Sequence, residues 1–420
     1  MYRTVELFSG IGSQMKAMRN LDMEIEKSWT CEWDVHAVIA YAAIHNSTEI
    51  SLSVLRMKKD QILEKLASRE LSIEGKSAAN DVALKNLSPL VLRRLYSAVT
   101  QTNNFINISQ LTGEDFPEQV DIMTYSFPCQ DISNVGAFHG YNKGIEKGSG
   151  SRSSLLWEVG RILEEMKTTG KTLPRYLLME NVPALLSERH LKNFNVWISD
   201  LEELGYISRY YQLNALDFGL PQNRPRLLML SVYTGDNQEK KEKIKTWFDQ
   251  KDERAVIEDY CNSVWYTSRR IQDLLRTDYT DEVLFEEACE ACPNDTESRR
   301  KIWEENPQLV LEGNVPNPDI QFVRTITTKQ DRNPNSGNLW FDSHIENRSS
   351  FRYLTPRECM LFMGFTDEDY ERLQKRNPEI RSGSRLFSRD KIIRMAGNSI
   401  PVQLLEGIML QIKKLDRECI

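Results

Sequence analysis

Over the first 230 residues, short apolar runs alternate with stretches whose apolar residues return at helical spacing. That is the pattern of a parallel sheet wrapped by helices, and it predicts an α/β fold. Residues 5–8, 121–126, 176–179 and 227–232 read as strands, and residues 157–166 and 191–204 as helices. Residues 50–100 read as a mostly helical insertion between the second and third strands, with a solvated charged face and no assigned chemistry. From about Tyr233 the alternation stops, and a highly charged stretch opens a region of weak periodicity that lasts to about Ser350. Confident helix patterns return in RYLTPRECMLFMGF and MAGNSIPVQLLEGIMLQIKKL. Three segments follow: a first domain at 1–232, a second, smaller one at 233–350, and helices at 351–420 expected to pack on the first.

The 40% hydrophobic and 27% charged fractions are ordinary for a globular chain. No 18-residue apolar run could cross a bilayer, and MYRTVELFSG lacks the grammar of a secretory signal, so the expectation is a cytoplasmic protein with no membrane partner. Seven cysteines, scattered and odd in number, read as reduced thiols. Cys289 and Cys292 form a CxxC, but no second pair or paired histidines lie near, and no metal is expected. The net charge of −7 is the wrong sign for a uniformly basic nucleic-acid coat. The charge is uneven, however. Residues 281–306 carry nine acids against three bases, whereas 321–357 carry six Lys or Arg against three acids, which allows a basic cleft on an acidic body.

Candidate chemistry gathers at strand ends. After the first strand comes Ser9-Gly10-Ile11-Gly12-Ser13, then a helix pattern. Such a glycine turn serves either a nucleotide-like ligand at the helix N-terminus or plain α/β architecture. Cys31-Glu32-Trp33 ends the expected second strand, where an acid can accept ribose hydroxyls and an aromatic can stack on a base, or where both are merely structural. Ser126-Phe127-Pro128-Cys129-Gln130-Asp131 puts a thiol at a strand's carboxyl end, where open α/β sheets bind ligands; a small buried hydrophobe is the bland alternative. The glycine-rich stretch from Gln130 to Ser153 reads as a lid. Glu180 ends another strand on the same expected edge, and a thiol with a nearby acid suits covalent catalysis with proton delivery. Arg224 and Arg226, in QNRPR, could bind a phosphate or carboxylate or form surface pairs.

In order and spacing these residues resemble the motif series of the DNA cytosine-C5 methyltransferases of bacterial and phage restriction-modification type. ELFSGIG, CEWD, SFPCQ, MENV, QNRPR, RYLTPRECMLFMGF and AGNSIP carry the resemblance, which spans residues 1–232 and 351–416. It implies a Rossmann-like sheet with a target-recognition domain at 233–350, S-adenosyl-L-methionine as cofactor and double-stranded DNA as partner. Cys129 is implied as the nucleophile that attacks cytosine C6, with Glu180, Arg226 and Arg224 assisting at the base. For the cofactor it implies Phe8 and Trp33 around the adenine and Glu32 on the ribose. Gly10, Ile11 and Gly12 would lie along the methionine part, and Pro128, Leu155, Asn398 and Ser399 would line the pocket. Asn107-Ile108 stands where the family usually has an aspartate meeting the adenine amino group, and Ser13 stands where glycine is usual.

Methylation at C5 requires the base to be rotated out of the duplex. Gln130, Ser133, Asn134 and Val135 are candidates for DNA contact beside the vacated space, and Arg324, Lys329 and Arg332 for base and phosphate contacts in the reading region. The chain is expected to act as a monomer, with a cognate restriction endonuclease as possible partner. A tRNA cytosine-C5 methyltransferase and a catalytically silent DNA-binding protein on the same scaffold are the rival readings.

Overall fold

The computed structural model describes residues 1–46, 49–67, 69–75, 77–79, 81–129, 132, 144–146, 152–330, 336–381 and 383–419. Its strands begin with β1 (Tyr2–Leu7), β2 (Ile25–Cys31), β3 (Ile122–Tyr125), β4 (Tyr176–Asn181), β5 (Tyr206–Asn214), β6 (Gln222–Asn223) and β7 (Pro225–Tyr233). Six of these form one sheet in the order β2-β1-β3-β4-β7-β5, while β6 pairs with Val323–Arg324. β1 runs parallel to β2 and β3, β3 runs parallel to β4, and β7 is antiparallel to β4.

The four strands read from sequence are present. β5 is an addition, at the sheet's edge. Its residues Ser208, Arg209, Tyr210 and Gln212 break the apolar run that marks a fully covered strand. The central strands bury Val5, Leu7, Met123, Tyr125, Leu177, Met179, Leu227 and Met229 in one core. Helix Leu156–Thr168 adds Val159, Ile162, Leu163 and Met166, and helix Glu188–Glu203 adds Phe194, Trp197 and Leu201. The Trp197 indole N–H donates to the Tyr125 hydroxyl at 3.2 Å, so this large ring is buried with its polar atom satisfied.

The register places Cys31, Leu7, Tyr125 and Met179 side by side on one level of the sheet. Phe8, Glu32, Ser126 and Glu180 therefore follow at the same carboxyl edge. Because β7 runs the other way, it starts at that edge, with Leu228 opposite Glu180 and Leu227 opposite Asn181.

The chain divides into two compact units, the first Met1–Leu213, Pro225–Trp265 and Leu405–Ile420, the second Asn214–Arg224 and Tyr266–Leu404. These borders differ from those drawn at 232 and 350. Residues 233–265 join the first unit because helices Gln238–Asp249 and Glu253–Cys261 bury Ile244, Trp247, Phe248, Val256 and Tyr260, and the Trp247 indole donates to Glu418 at 3.0 Å. Residues 351–404 group with the second unit. There the fully buried Arg352–Glu358 pair, at 2.7 Å, ties the short strand Phe351–Arg352 to helix Pro356–Phe362, and Glu358 also accepts from the Arg276 N–H at 2.8 Å. Among the described residues no helix is long and apolar enough to cross a membrane.

Candidate active site

In the first unit the chain turns sharply where β1 ends. Phe8, Gly10 and Gly12 all take positive φ, at 58°, 53° and 83°, and helix Ser13–Asn20 follows. The Phe8 and Ser9 N–H groups both donate to the Cys31 carbonyl, at 2.8 and 3.3 Å, so the loop is pinned to the end of β2. At Gly12 a Cβ would collide with the His45 ring and fall 2.7 Å from the Tyr41 ring, so a larger residue would force these side chains to shift. Gly10 differs, since a Cβ there would meet nothing within 4 Å among the described residues. Space is therefore open above Gly10, and the buried Ser9 hydroxyl beside it has no hydrogen-bond partner among the described residues.

Glu32 closes this loop from the neighbouring strand. Its two oxygens accept from the Gly10 N–H at 3.0 Å and the Asp34 N–H at 2.8 Å. Each carboxylate oxygen can accept a further bond, so the group suits a pair of hydroxyl donors. Burial, with Asp34 adding repulsion, pushes its carboxyl up to about 7. Asn104, which sequence reasoning missed, holds Glu32 in place: its Oδ1 accepts from the Glu32 N–H and its Nδ2 donates to the Glu32 carbonyl, both at 3.0 Å. A lone asparagine in a loop gave no signal of this role. Trp33 is half-buried, Ile108 is buried, and Asn107 is 9% exposed. An open cradle over glycine, an unpartnered buried hydroxyl and a two-oxygen acceptor together fit a polar ligand bearing a sugar diol.

The thiol lies farther along the same edge. After β3, Phe127 is buried, while Pro128 and Cys129 are half-buried. Two side chains fix this loop from outside: Asn181 Nδ2 donates to the Phe127 carbonyl at 3.0 Å, and the Ser153 hydroxyl donates to the Pro128 carbonyl at 2.5 Å. The Ile132 N–H donates to the Cys129 carbonyl at 3.0 Å, turning the chain back just after the thiol. Glu180 pairs with Arg226, Nε to Oε1 3.0 Å, and each side chain is 12% exposed. A half-buried thiol, a carboxylate and a guanidinium thus leave one sheet edge within the first unit.

A family model of the C-5 cytosine-specific DNA methylases matches residues 79–414. The chain belongs to that family. The methylase is 30% identical over 418 residues to the orphan methyltransferase M.SssI of Spiroplasma monobiae, covering 97% of this chain and 96% of that protein. It is 29% identical over 415 residues to the type II methyltransferase M2.ScrFI of Lactococcus lactis subsp. cremoris, covering 99% of each. Its fold is similar to the crystal structure of S. pombe Dnmt2 methyltransferase, with TM-score 0.59, 18% identity and coverage of 99% of this chain and 100% of that one. The methylase is a DNA (cytosine-5-)-methyltransferase.

Within the second unit of the methylase lies Arg224, expected to assist at the base. It is 2% exposed, and its guanidinium donates to the carbonyls of Ile326 at 2.8 Å, Gly397 at 2.7 Å and Ser399 at 2.8 Å. A guanidinium so engaged acts as an internal clamp on backbone, drawing the Ile326 segment and the end of helix Arg389–Asn398 together. Asn398 at that helix end is exposed, and Ser399 is buried with its hydroxyl on the Met395 carbonyl at 2.8 Å. Arg324 and Lys329 are exposed. Gln130, Ser133, Asn134, Val135 and Arg332 lie outside the described residues, as does most of the expected lid. Of the lid's described part, Ile145 is buried in the core and its carbonyl accepts from the Trp157 indole at 2.7 Å. Leu155 is half-buried against that core. The CxxC sulfur of Cys292 is buried and donates to the Ser349 carbonyl at 3.1 Å.

Proposed function

We propose that this methylase transfers a methyl group from S-adenosyl-L-methionine to C5 of a cytosine rotated out of a short specific sequence in duplex DNA, through a transient bond between Cys129 Sγ and C6. The observation that carries the proposal is the convergence of Cys129, the Glu180–Arg226 pair and the Phe8–Gly12 loop on one sheet edge.

The chemistry needs such a set. Cytosine C5 is too weak a nucleophile to attack a sulfonium carbon, and addition of a thiolate at C6 makes C5 enamine-like. Cys129 supplies the thiolate. Glu180 faces N3 and the exocyclic amine and meets the change in ring charge with a proton or a hydrogen bond, while Arg226 holds that carboxylate in orientation. Loss of the C5 proton and departure of the thiolate then restore the ring.

When bound, S-adenosyl-L-methionine supplies an electrophilic methyl group. Glu32 accepts the ribose hydroxyls, Phe8 and Trp33 flank the adenine, and Gly10, Ile11 and Gly12 let the backbone approach the methionine part. Asn107, Ile108, Pro128 and Leu155 complete the lining by their match to the family motifs. Target reading falls to residues 233–350, with the exposed Arg324 and Lys329, joined by Arg332, dividing base and phosphate contacts. Any partnering restriction endonuclease would recognise the same sequence and cut it only where the methyl group is missing.

Transfer of tritiated methyl from S-adenosyl-L-methionine is to be compared on duplex DNA and tRNA, with bisulfite sequencing of a plasmid from an expressing host. Label in DNA and protected cytosines in one short sequence are expected. Label confined to tRNA, or found on an exocyclic amine, contradicts the proposal.

A further inference from the structure

The helical insertion, which the family motifs do not cover, reaches the cofactor side of the sheet. The Ser72 N–H donates to the Trp33 carbonyl at 2.7 Å, and the Val35 N–H donates to the Ser72 carbonyl at 2.8 Å. Residue 72 thereby pairs in parallel with Asp34, and both Leu71 and Ser72 are fully buried. This pairing delivers the preceding residue, the exposed Glu70, to Asn107, whose Nδ2 donates to Glu70 Oε2 at 2.6 Å.

At its other end the Asn107 amide accepts, its Oδ1 taking the Ser109 N–H at 3.1 Å. An ionised carboxylate only accepts and a backbone N–H only donates, so the two contacts agree on which way the amide faces. An amide oxygen has two lone pairs, so Oδ1 can accept a second donor. Asn107 also follows directly on the segment that holds Glu32: the Phe105 N–H donates to the Thr30 carbonyl at 2.8 Å, extending the sheet beside β2.

We infer that Glu70 is a positioning residue for purine recognition, holding Nδ2 so that Asn107 Oδ1 stays turned as an acceptor for the exocyclic amino group of adenine. The inference rests on the proposed use of S-adenosyl-L-methionine. An aspartate at position 107 would accept in either orientation, whereas an asparagine can present its N–H instead and welcome a 6-oxopurine. Glu70 removes that ambiguity with a residue from outside the family motifs.

Calorimetric titration of the purified methylase with S-adenosylhomocysteine and S-inosylhomocysteine tests this. The wild-type protein is expected to prefer the adenosyl compound by about tenfold or more, the equivalent of one or two hydrogen bonds. Glu70→Ala should shrink the preference by roughly threefold or more, and Glu70→Gln, whose side-chain carbonyl can accept the same N–H, should restore it. A ratio between two ligands is insensitive to a general loosening of the pocket, which would weaken both alike. An unchanged ratio in Glu70→Ala overturns the role of Glu70. Failure of the wild-type protein to bind S-adenosylhomocysteine overturns the cofactor reading itself, and this inference with it.

Discussion

Arg226 Nε lies 3.0 Å from Glu180 Oε1, joining the start of β7 to the end of β4 with both side chains nearly buried. The pairing follows from the antiparallel register, which sets Leu228 opposite Glu180 and so leaves Arg226, two residues earlier, at the same edge. Removing one partner of a half-buried ion pair leaves the other charge poorly compensated. Arg226→Ala is therefore expected to lower kcat by about a hundredfold, with little change in the affinity for S-adenosylhomocysteine. Arg226→Lys keeps the charge but not the planar fork, and should recover only part of the loss. Steady-state methyl transfer and calorimetry check both variants.

The two loop glycines should respond differently to alanine. At Gly12 the new Cβ collides with His45 and Tyr41, so Gly12→Ala should lower the melting temperature clearly. At Gly10 none of the described residues would lie within 4 Å of the new Cβ, and the cost is that of a positive φ of 53°, about 1 kcal/mol. Gly10→Ala should therefore fold with only a small loss in melting temperature and yet bind S-adenosylhomocysteine weakly, because the methyl group occupies the open cradle. Thermal melts with and without the ligand separate the two cases.

Two acids with raised carboxyls make stability and ligand affinity respond to pH in opposite senses. Glu6 is fully buried beneath the loop, accepting from the Tyr41 hydroxyl at 2.5 Å and the Met15 N–H at 3.2 Å, and burial pushes its carboxyl from 4.5 up to about 7. Between those values the folded protein keeps a proton that the unfolded chain has released. Stability should therefore fall as pH rises from about 4.5 to 7 and level off above, by at most on the order of 3 kcal/mol from this group. Glu32, also pushed up to about 7, contributes in the same direction. Glu6→Gln should reduce the slope in urea denaturation across this range.

Ligand affinity should move the other way. Glu32 accepts ribose hydroxyls best as a carboxylate, so binding of S-adenosylhomocysteine is expected to tighten as pH rises from 6 to 8. Glu32→Gln should bind more weakly and lose this dependence, as read by calorimetry across that range.

Asn181 offers a test of the nucleophile loop that leaves the thiol in place. Its Nδ2 bond to the Phe127 carbonyl is buried, and its Oδ1 accepts from the Val182 N–H at 2.9 Å. Asn181→Ala leaves both partners unsatisfied and should cost about 1–3 kcal/mol in urea denaturation. Turnover should fall further than that loss of folded protein explains, because the loop bearing Cys129 loses one of its outside ties.

What was legible in the sequence was what local pattern encodes. An apolar run followed by Gly10 and Gly12 reads as strand, turn and helix, and a thiol or an acid directly after such a run must emerge at the strand's end. The shared edge of Cys129 and Glu180 followed from that alone. β5 was not legible, because an edge strand with Arg209 and Gln212 lacks the continuous apolar signal of its neighbours. Nor was the burial of Arg224, whose three carbonyl partners lie 102 to 175 residues away in sequence. The same holds for Glu70 and Asn107: a charged residue on a solvated helical insertion looks like every other surface acid until the chain returns beside β2.

The most direct measurement uses duplex DNA in which the target cytosine carries fluorine at C5, incubated with the methylase and S-adenosyl-L-methionine. The fluorine cannot leave as the proton does, so an enzyme that bonds to C6 stays attached. Mass spectrometry is expected to find the methylated base on the peptide that contains Cys129, and Cys129→Ser protein should form no such complex. A freely released, methylated product, an adduct on another residue, or undiminished turnover by Cys129→Ser would contradict the proposal.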